Sequence, residues 1–342
     1  MPSNKIVSAL NKALIEEMDK DENVVIIGED IGLFEGSFRV TEGLFKRYGP
    51  SRVKDTPISE STFVGAAVGA AMLGLRPVVE IQFSDFITTC FDPIVNQAAK
   101  IHLMLGGQYS VPMVVRAPFG STTRGAHHCQ SFEGLFAQIP GLKVVVPSTP
   151  YDAKGLLKSA IRDNNPVLFF EHKLLYGAKS ASGKNATVVD QLDEVFRPAP
   201  DEEYLVPLSS ADIKRVGSDV TIVAVGYMVH RAISAAKKLE LKGISCEVID
   251  PRTIYPLDKG TIIESVRKTG RLVIVTEAIG NCGFAAEVAA MACSENFFDL
   301  DAPVRRVCAK ESPMPFSPVC EKYELPSEEE IINACIEICG RF

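Results

Sequence analysis

No C-x-x-C pair occurs among the nine cysteines of this 342-residue chain, and histidine appears only five times. An odd cysteine count without paired spacing excludes a disulfide scaffold or a zinc ribbon and leaves small buried hydrophobes in a reducing compartment. There is no G-x-x-x-x-G-K-[ST], and no G-x-G-x-x-G opens a helix after a strand, so a P-loop and a dinucleotide fingerprint are both missing. Gly28-Glu-Asp-Ile-Gly32 has the wrong spacing, and the absence of G-x-S-x-G removes the nucleophile elbow. The longest apolar run, 63–75, is too short to span a bilayer, and positions 1–21 are acidic and amphipathic where a leader peptide would be arginine-rich or continuously apolar. A formal net charge of −7 with no basic run gives phosphate backbones nothing to bind. Nucleic acid and membrane are therefore not expected partners. Bacterial cytoplasm is the location that fits, with a processed mitochondrial or plastid protein as the alternative.

What is present is ordinary soluble composition, 46% hydrophobic and 23% charged, in a chain long enough for two domains. Apolar runs at 24–27, 78–83, 113–116, 143–146 and 167–170 alternate with helix-length segments at 64–75, 91–105 and 151–162. Ser148-Thr-Pro announces the last of these helices. Such alternation predicts a parallel sheet covered on both faces. A second series, with strands at 220–225, 246–249, 272–275 and 304–307 and helices at 231–241 and 261–268, follows a proline- and charge-scattered stretch. The expected organisation is α/β in two domains: a first domain over 1–180, a linker over 181–216 and a smaller domain over 217–342. Cys335 and Cys339, four apart on a terminal helix, read as packing residues.

Chemistry is sought at the carboxyl ends of the strands, where open parallel sheets bind ligands. Asp55-Thr-Pro-Ile-Ser-Glu60 delivers one carboxylate to the start of a helix whose small residues, 63–74, let other backbone approach closely. Glu29, Asp30, Gln82, Asp85 and His172 fall at strand ends as well, where each taken singly reads as a helix cap or a partner of loop amides. Residues 120–133 place His127 and His128 in a glycine-flanked polar loop, a setting for proton exchange near neutral pH. A surface loop with incidental histidines is the competing reading, and a metal site lacks a third ligand with recognisable spacing.

Six ordered motifs then carry a resemblance: Ile27-Gly-Glu-Asp30, Phe38-Arg-Val-Thr-Glu42, Asp55 through Glu60, Glu80-Ile-Gln-Phe-Ser-Asp-Phe86, His128-Cys-Gln-Ser131 and Pro140-Gly-Leu-Lys-Val-Val-Val-Pro147. The chain resembles the β subunit of thiamine-diphosphate-dependent 2-oxo acid and acetoin dehydrogenases. The similarity continues through Arg252-Thr-Ile-Tyr-Pro-Leu-Asp258, Lys268-Thr-Gly-Arg271, Glu277 and Gly283-Phe284. It implies a pyrimidine-binding domain followed by a transketolase-type carboxy-terminal domain. It also implies a separate α subunit, in an assembly of two α and two β chains, and a lipoyl-bearing acyltransferase core as further partner. The α chain would supply the diphosphate and Mg²⁺ site, consistent with the absence of any Gly-Asp-Gly here.

By the same resemblance Glu60 hydrogen-bonds the far ring nitrogen of the cofactor's aminopyrimidine, Gln82 makes a polar contact near that ring, and Phe86 lies against it, where several relatives carry tyrosine. His128 matches a histidine near the substrate and the incoming lipoyl group, with proton transfer or charge stabilisation as its role. Relatives commonly read Gln-His-Ser-Gln where this chain has His127-His-Cys-Gln130, which bears on substrate preference. A structural K⁺ is implied around Ala160, Asp163 and Asn165, with a simple loop turn as the competing account. The expected activity is decarboxylation of a 2-oxo acid, pyruvate or branched-chain, or cleavage of acetoin, with acyl transfer to lipoamide. A non-catalytic scaffold subunit and an NAD-dependent Rossmann oxidoreductase are the alternatives, the latter disfavoured by the missing fingerprint.

Overall fold

The computed structural model describes residues 5–176 and 197–340; the expected domain edge at 180 and positions 181–196 of the expected linker lie outside them. The strands are β1 (Val24–Gly28), β2 (Val53–Asp55), β3 (Arg76–Glu80), β4 (Val114–Phe119), β5 (Lys143–Val145), β6 (Val167–His172), β7 (Asp212–Arg215), β8 (Val220–Ala224), β9 (Cys246–Asp250), β10 (Thr253–Tyr255), β11 (Leu272–Ile279) and β12 (Arg305–Ala309). The α-helices are α1 (Ile6–Lys20), α2 (Leu44–Tyr48), α3 (Glu60–Met72), α4 (Ile101–Met104), α5 (Glu133–Ala137), α6 (Pro150–Arg162), α7 (Tyr227–Glu240), α8 (Lys259–Thr269), α9 (Phe284–Glu295), α10 (Pro318–Glu324) and α11 (Glu328–Ile338).

One sheet runs β10-β5-β6-β4-β3-β1-β2 and the other β12-β11-β8-β9-β7. Pairing is parallel except at one edge of each, where β10 meets β5 and β7 meets β9 antiparallel. Every residue of β1, β4, β6, β8 and β9 is buried, as helices on both faces require. The α/β architecture in two sheets is the one expected. The strands without a sequence signal, β2, β7 and β10, are short and partly exposed, so no apolar run marks them. β7 falls within the stretch read as linker. β10 lies in the second half of the sequence yet extends the first sheet.

Local chemistry explains where elements start and stop. Thr149 accepts a hydrogen bond from the Asp152 amide and Pro150 occupies the first turn, fixing the start of α6. The single helix expected over 91–105 is broken into a π-type turn (Pro93–Ala98) and α4, and a 3₁₀ turn (Ser84–Cys90) precedes it. Pro93 takes the first position of the π-type turn, where a helix leaves the amide unpaired in any case. The strand expected over 78–83 ends at Glu80, so Gln82 and Phe83 lead into the 3₁₀ turn.

Residues 197–206 clasp α6. Tyr204 stacks on Tyr151 with centroids 4.4 Å apart, and the Lys154 ammonium donates to the Pro200 and Glu202 carbonyls. A Cβ on Gly155 would lie 2.5 Å from Val206, so only glycine lets this strap close.

Candidate functional site

The first sheet carries its polar residues at the carboxyl ends of β1, β3 and β6. At the end of β2 the Asp55 carboxylate accepts the Gly32 amide at 2.7 Å, and it lies so close that Gly32 has no room for a side chain. This tether folds the segment after β1 back toward α3. Asp30 there adopts φ +56°, backbone strain of the kind that clusters at functional sites.

Glu60 is the first residue of α3, where the helix dipole favours a carboxylate. It is half-buried and makes no hydrogen bond or ion pair among the described residues. Glu29 stands close to it. Burial raises the Glu29 carboxyl above its usual range, and like-charge repulsion from Glu60 and Asp30 adds to the effect. Its Oε1 is buried and has no hydrogen-bond partner among the described residues. Gln82 Nε2 donates to Asp30 at 3.3 Å, joining the ends of β1 and β3. The buried Cys90 thiol, at the far end of the 3₁₀ turn, is pushed up to about 12 by burial and then by the Glu60 charge, so Glu60 also borders that turn.

Aromatic rings continue the site. Phe83 and Phe86 meet edge to face at 5.9 Å, and the His128 imidazole lies 4.6 Å from Phe83 and 5.6 Å from Phe86. Phe38 packs on Phe83 at 5.6 Å and on Tyr176 at 5.3 Å. The histidine loop is fastened to the 3₁₀ turn, since Asp85 Oδ1 accepts the Gln130 amide at 3.2 Å and its side-chain nitrogen at 2.9 Å. Beneath the rings, buried Arg116 bridges Glu80 at 2.5 Å and Glu171 at 2.7 Å across β3, β4 and β6.

The structure thus brings Glu60, Gln82, Phe86 and His128 to one edge of one sheet. His127 is exposed and makes no part of the cluster. Cys129 is buried, and burial pushes its thiol up, which removes the thiolate character of a redox-sensitive cysteine. His172 lies deeper and pairs with Glu277 of β11 at 2.7 Å. Glu29 carried only a capping signal in the sequence. Phe83 was hidden in an expected strand, and Lys173, whose Nζ donates to the His128 carbonyl at 2.8 Å, gave no signal at all.

Ala160, Asp163 and Asn165 form a separate turn at the end of α6. Asp163 Oδ1 accepts the amide and the side-chain nitrogen of Asn165 at 2.8 Å each, an Asx turn, and its other oxygen pairs with Lys143. The Arg76 guanidinium donates to the carbonyls of Ile161 and Asp163 at 2.9 and 3.1 Å. Among the described residues no group of three or more His, Cys, Asp or Glu side chains is placed to hold a metal ion. A groove of about 550 Å³ between the domains, lined by Gly134, Tyr255, Lys259, Cys282, Phe284 and Glu287, contains none of the expected site residues.

Two sheets of this topology, with the polar cluster at the carboxyl edge of the first, define a transketolase-like protein. Residues 4–179 match the family "Transketolase, pyrimidine binding domain" and residues 209–331 match "Transketolase, C-terminal domain". A solved structure described as "Split gene transketolase, inactive beta4 tetramer" superposes with a TM-score of 0.77 over 98% of both chains at 23% identity, a likeness of fold. At higher identity stand three proteins of Bacillus subtilis (strain 168). "Acetoin:2,6-dichlorophenolindophenol oxidoreductase subunit beta" is 46% identical over 97% of this chain and 96% of its own length. "2-oxoisovalerate dehydrogenase subunit beta" is 45% identical over 97% of each, and "Pyruvate dehydrogenase E1 component subunit beta" is 44% identical over 99% of each. The chain belongs to the β-subunit family of the thiamine-diphosphate-dependent 2-oxo acid and acetoin dehydrogenases.

Proposed function

We propose that this chain holds the aminopyrimidine half of thiamine diphosphate and works with an α subunit to decarboxylate a 2-oxo acid or cleave acetoin, passing the acyl group to lipoamide on an acyltransferase core. The observation that carries the reading is Glu60: an unpartnered carboxylate at a helix start, beside the orphaned Glu29 Oε1 and on the same sheet edge as Phe86 and His128. Those groups fit the cofactor's ring, with a carboxyl for its nitrogen, a buried acceptor for its amino group and an aromatic edge for its face. When bound, the cofactor supplies a nucleophilic carbon that attacks the substrate carbonyl and takes up the electron pair released by carbon–carbon cleavage.

The chain's own residues do the rest. Glu60 presents its carboxyl to the pyrimidine nitrogen and would exchange a proton there, while Phe83 and Phe86 supply apolar surface on the same sheet edge. Glu60 is only half-buried in this chain, so the remaining wall belongs to the α subunit, which also brings the diphosphate and Mg²⁺ contacts. His128 presents its imidazole where substrate and lipoyl sulfur would arrive, placed to exchange a proton with them. The location this activity implies is the cytoplasm; no helix of the described residues is long and apolar enough to cross a membrane.

Replacing Glu60 by Gln in the reconstituted α and β assembly tests the core of the reading. Turnover is expected to fall by about 100-fold or more with the assembly intact. Unchanged turnover would remove the catalytic role and favour a scaffold subunit. Assays of pyruvate, acetoin and 2-oxoisovalerate with an artificial electron acceptor decide the substrate. A K⁺ near Ala160, Asp163 and Asn165 has to rest on backbone carbonyls, because the Asp163 oxygens are engaged. Exchanging potassium for choline is then expected to lower the melting midpoint, and an unmoved midpoint would leave the Asx turn alone there.

A further inference from the structure

The segment carrying His128 is tied down at four places, and two of the ties come from the second domain. The Ser121 amide donates to Glu277 Oε1, and the Thr123 amide donates to Glu321 Oε2 at 2.6 Å. Lys173 holds the His128 carbonyl at 2.8 Å and Asp85 holds Gln130. Glu277 is itself oriented by His172: the Leu174 amide donates to His172 Nδ1 at 3.2 Å, so His172 Nε2 carries the proton that reaches Glu277. Gly120 makes this possible, since a Cβ there would lie 2.2 Å from His172 Nε2. Glu321 comes from α10, and Phe316, just before that helix, covers Gly125 so closely that a Cβ would approach its ring to 3.2 Å.

Lys173 is the costly member. It is fully buried, lies 5.5 Å from the centre of the Phe83 ring, and has no carboxylate within ion-pair distance among the described residues. Burial draws its ammonium down to about 8. A methionine of similar length would fill this space without desolvating a charge, so packing alone does not account for a lysine here.

Resting on the role proposed for His128, we infer that Lys173 and Glu321 are positioning residues for that imidazole. The Lys173 ammonium donates to the His128 carbonyl, and the Glu321 carboxylate of the second domain accepts the amide of Thr123, five residues before His128. Together they keep the ring against Phe83 and Phe86. The carboxy-terminal domain thereby sets the geometry of a group that belongs to the first.

The test uses the reconstituted α and β assembly on whichever of the three substrates it turns over. Two rates are read, one with free lipoamide and one with 2,6-dichlorophenolindophenol as acceptor. Lys173→Met and Glu321→Ala are each expected to lower the lipoamide-linked kcat by about 10- to 100-fold, and at least about fivefold more than the dye-linked kcat, as misplacement near 1 Å does. Glu321→Gln, which still accepts the Thr123 amide, recovers most of the loss. His128→Ala, run alongside, shows the same split if the underlying reading holds. Variants that keep the wild-type ratio of the two rates overturn the inference, as does an equal fall in both rates with a lowered melting midpoint. If His128→Ala shows no split, the reading beneath fails and takes the inference with it; if it alone shows the split, only the inference fails. Should Lys173→Met not assemble, Glu321→Ala decides from the other domain.

Discussion

Three carboxylates of this chain show how neighbours decide the behaviour of one residue type. Among the described residues Glu60 is half-buried and unpartnered, Glu29 is buried beside it, and Glu133 at the start of α5 is buried with one oxygen unsatisfied. Burial pushes Glu133 from 4.5 up to about 7, and the Glu277 charge adds to it. The folded state therefore keeps this proton up to about pH 7, while the unfolded carboxyl releases it near 4.5. This group favours folding below pH 4.5, and the contribution is lost as the pH rises through about 7. Glu133→Gln is expected to flatten the pH dependence of the urea midpoint across that window. At pH 8 it should stabilise the chain by up to about 3 kcal/mol relative to wild type, and identical pH profiles would count against it. At this scale the sequence made Glu60 and His128 legible through their local motifs. It could not distinguish Glu29 from a helix cap, because its burial and its proximity to Glu60 of α3 arise only in the folded chain.

Among the elements, α3 has two different faces. Phe63, Val64, Ala67, Val68 and Ala71 are buried against the sheet, whereas Ala66 and Gly69 face outward and a Cβ on Gly69 would meet nothing within 4 Å. Leu73, at 87% exposure, and Ile58, at 83%, stand at the two ends of that open face. Small side chains with nothing to pack against inside their own chain are suited to a second subunit. Gly69→Leu is expected to leave the fold of the isolated chain intact, with a helix gain of up to about 1 kcal/mol, and to abolish co-purification with the α subunit. A normal yield of assembly would move the contact elsewhere. The helix expected over 91–105 teaches the opposite lesson. Its apolar spacing suited a single helix, yet the chain folds through a π-type turn whose Asn96 and Gln97 side chains return to Asp92 at 2.7 and 3.0 Å, side-chain bonds that apolar spacing does not record.

In the whole molecule, the domains are joined by more than the chain between them. Asp152 of α6 meets Lys214 and Arg252 of the second domain at 2.6 Å each, and Lys214 also reaches Asp212 at 2.7 Å and Asp250 at 3.6 Å. Removing one cation from so buried a cluster leaves carboxylates uncompensated. Lys214→Met is expected to cost about 3–5 kcal/mol, read as a lowered urea midpoint, and a change below about 1 kcal/mol would show the cluster to be neutral. The sequence by itself determined the α/β class, the two series of buried strands and the family, and it named Glu60, Gln82, Phe86 and His128 as candidates, because hydrophobic period and short motifs are local properties. Only the tertiary structure decided that β10 completes the sheet of the other domain, that Glu29 is left with an orphaned oxygen, and that Lys173, Glu277 and Glu321 surround the histidine loop. The physical reason is separation along the chain: Thr123 and Glu321 lie 198 residues apart, and no local pattern records a hydrogen bond that forms only when two domains pack.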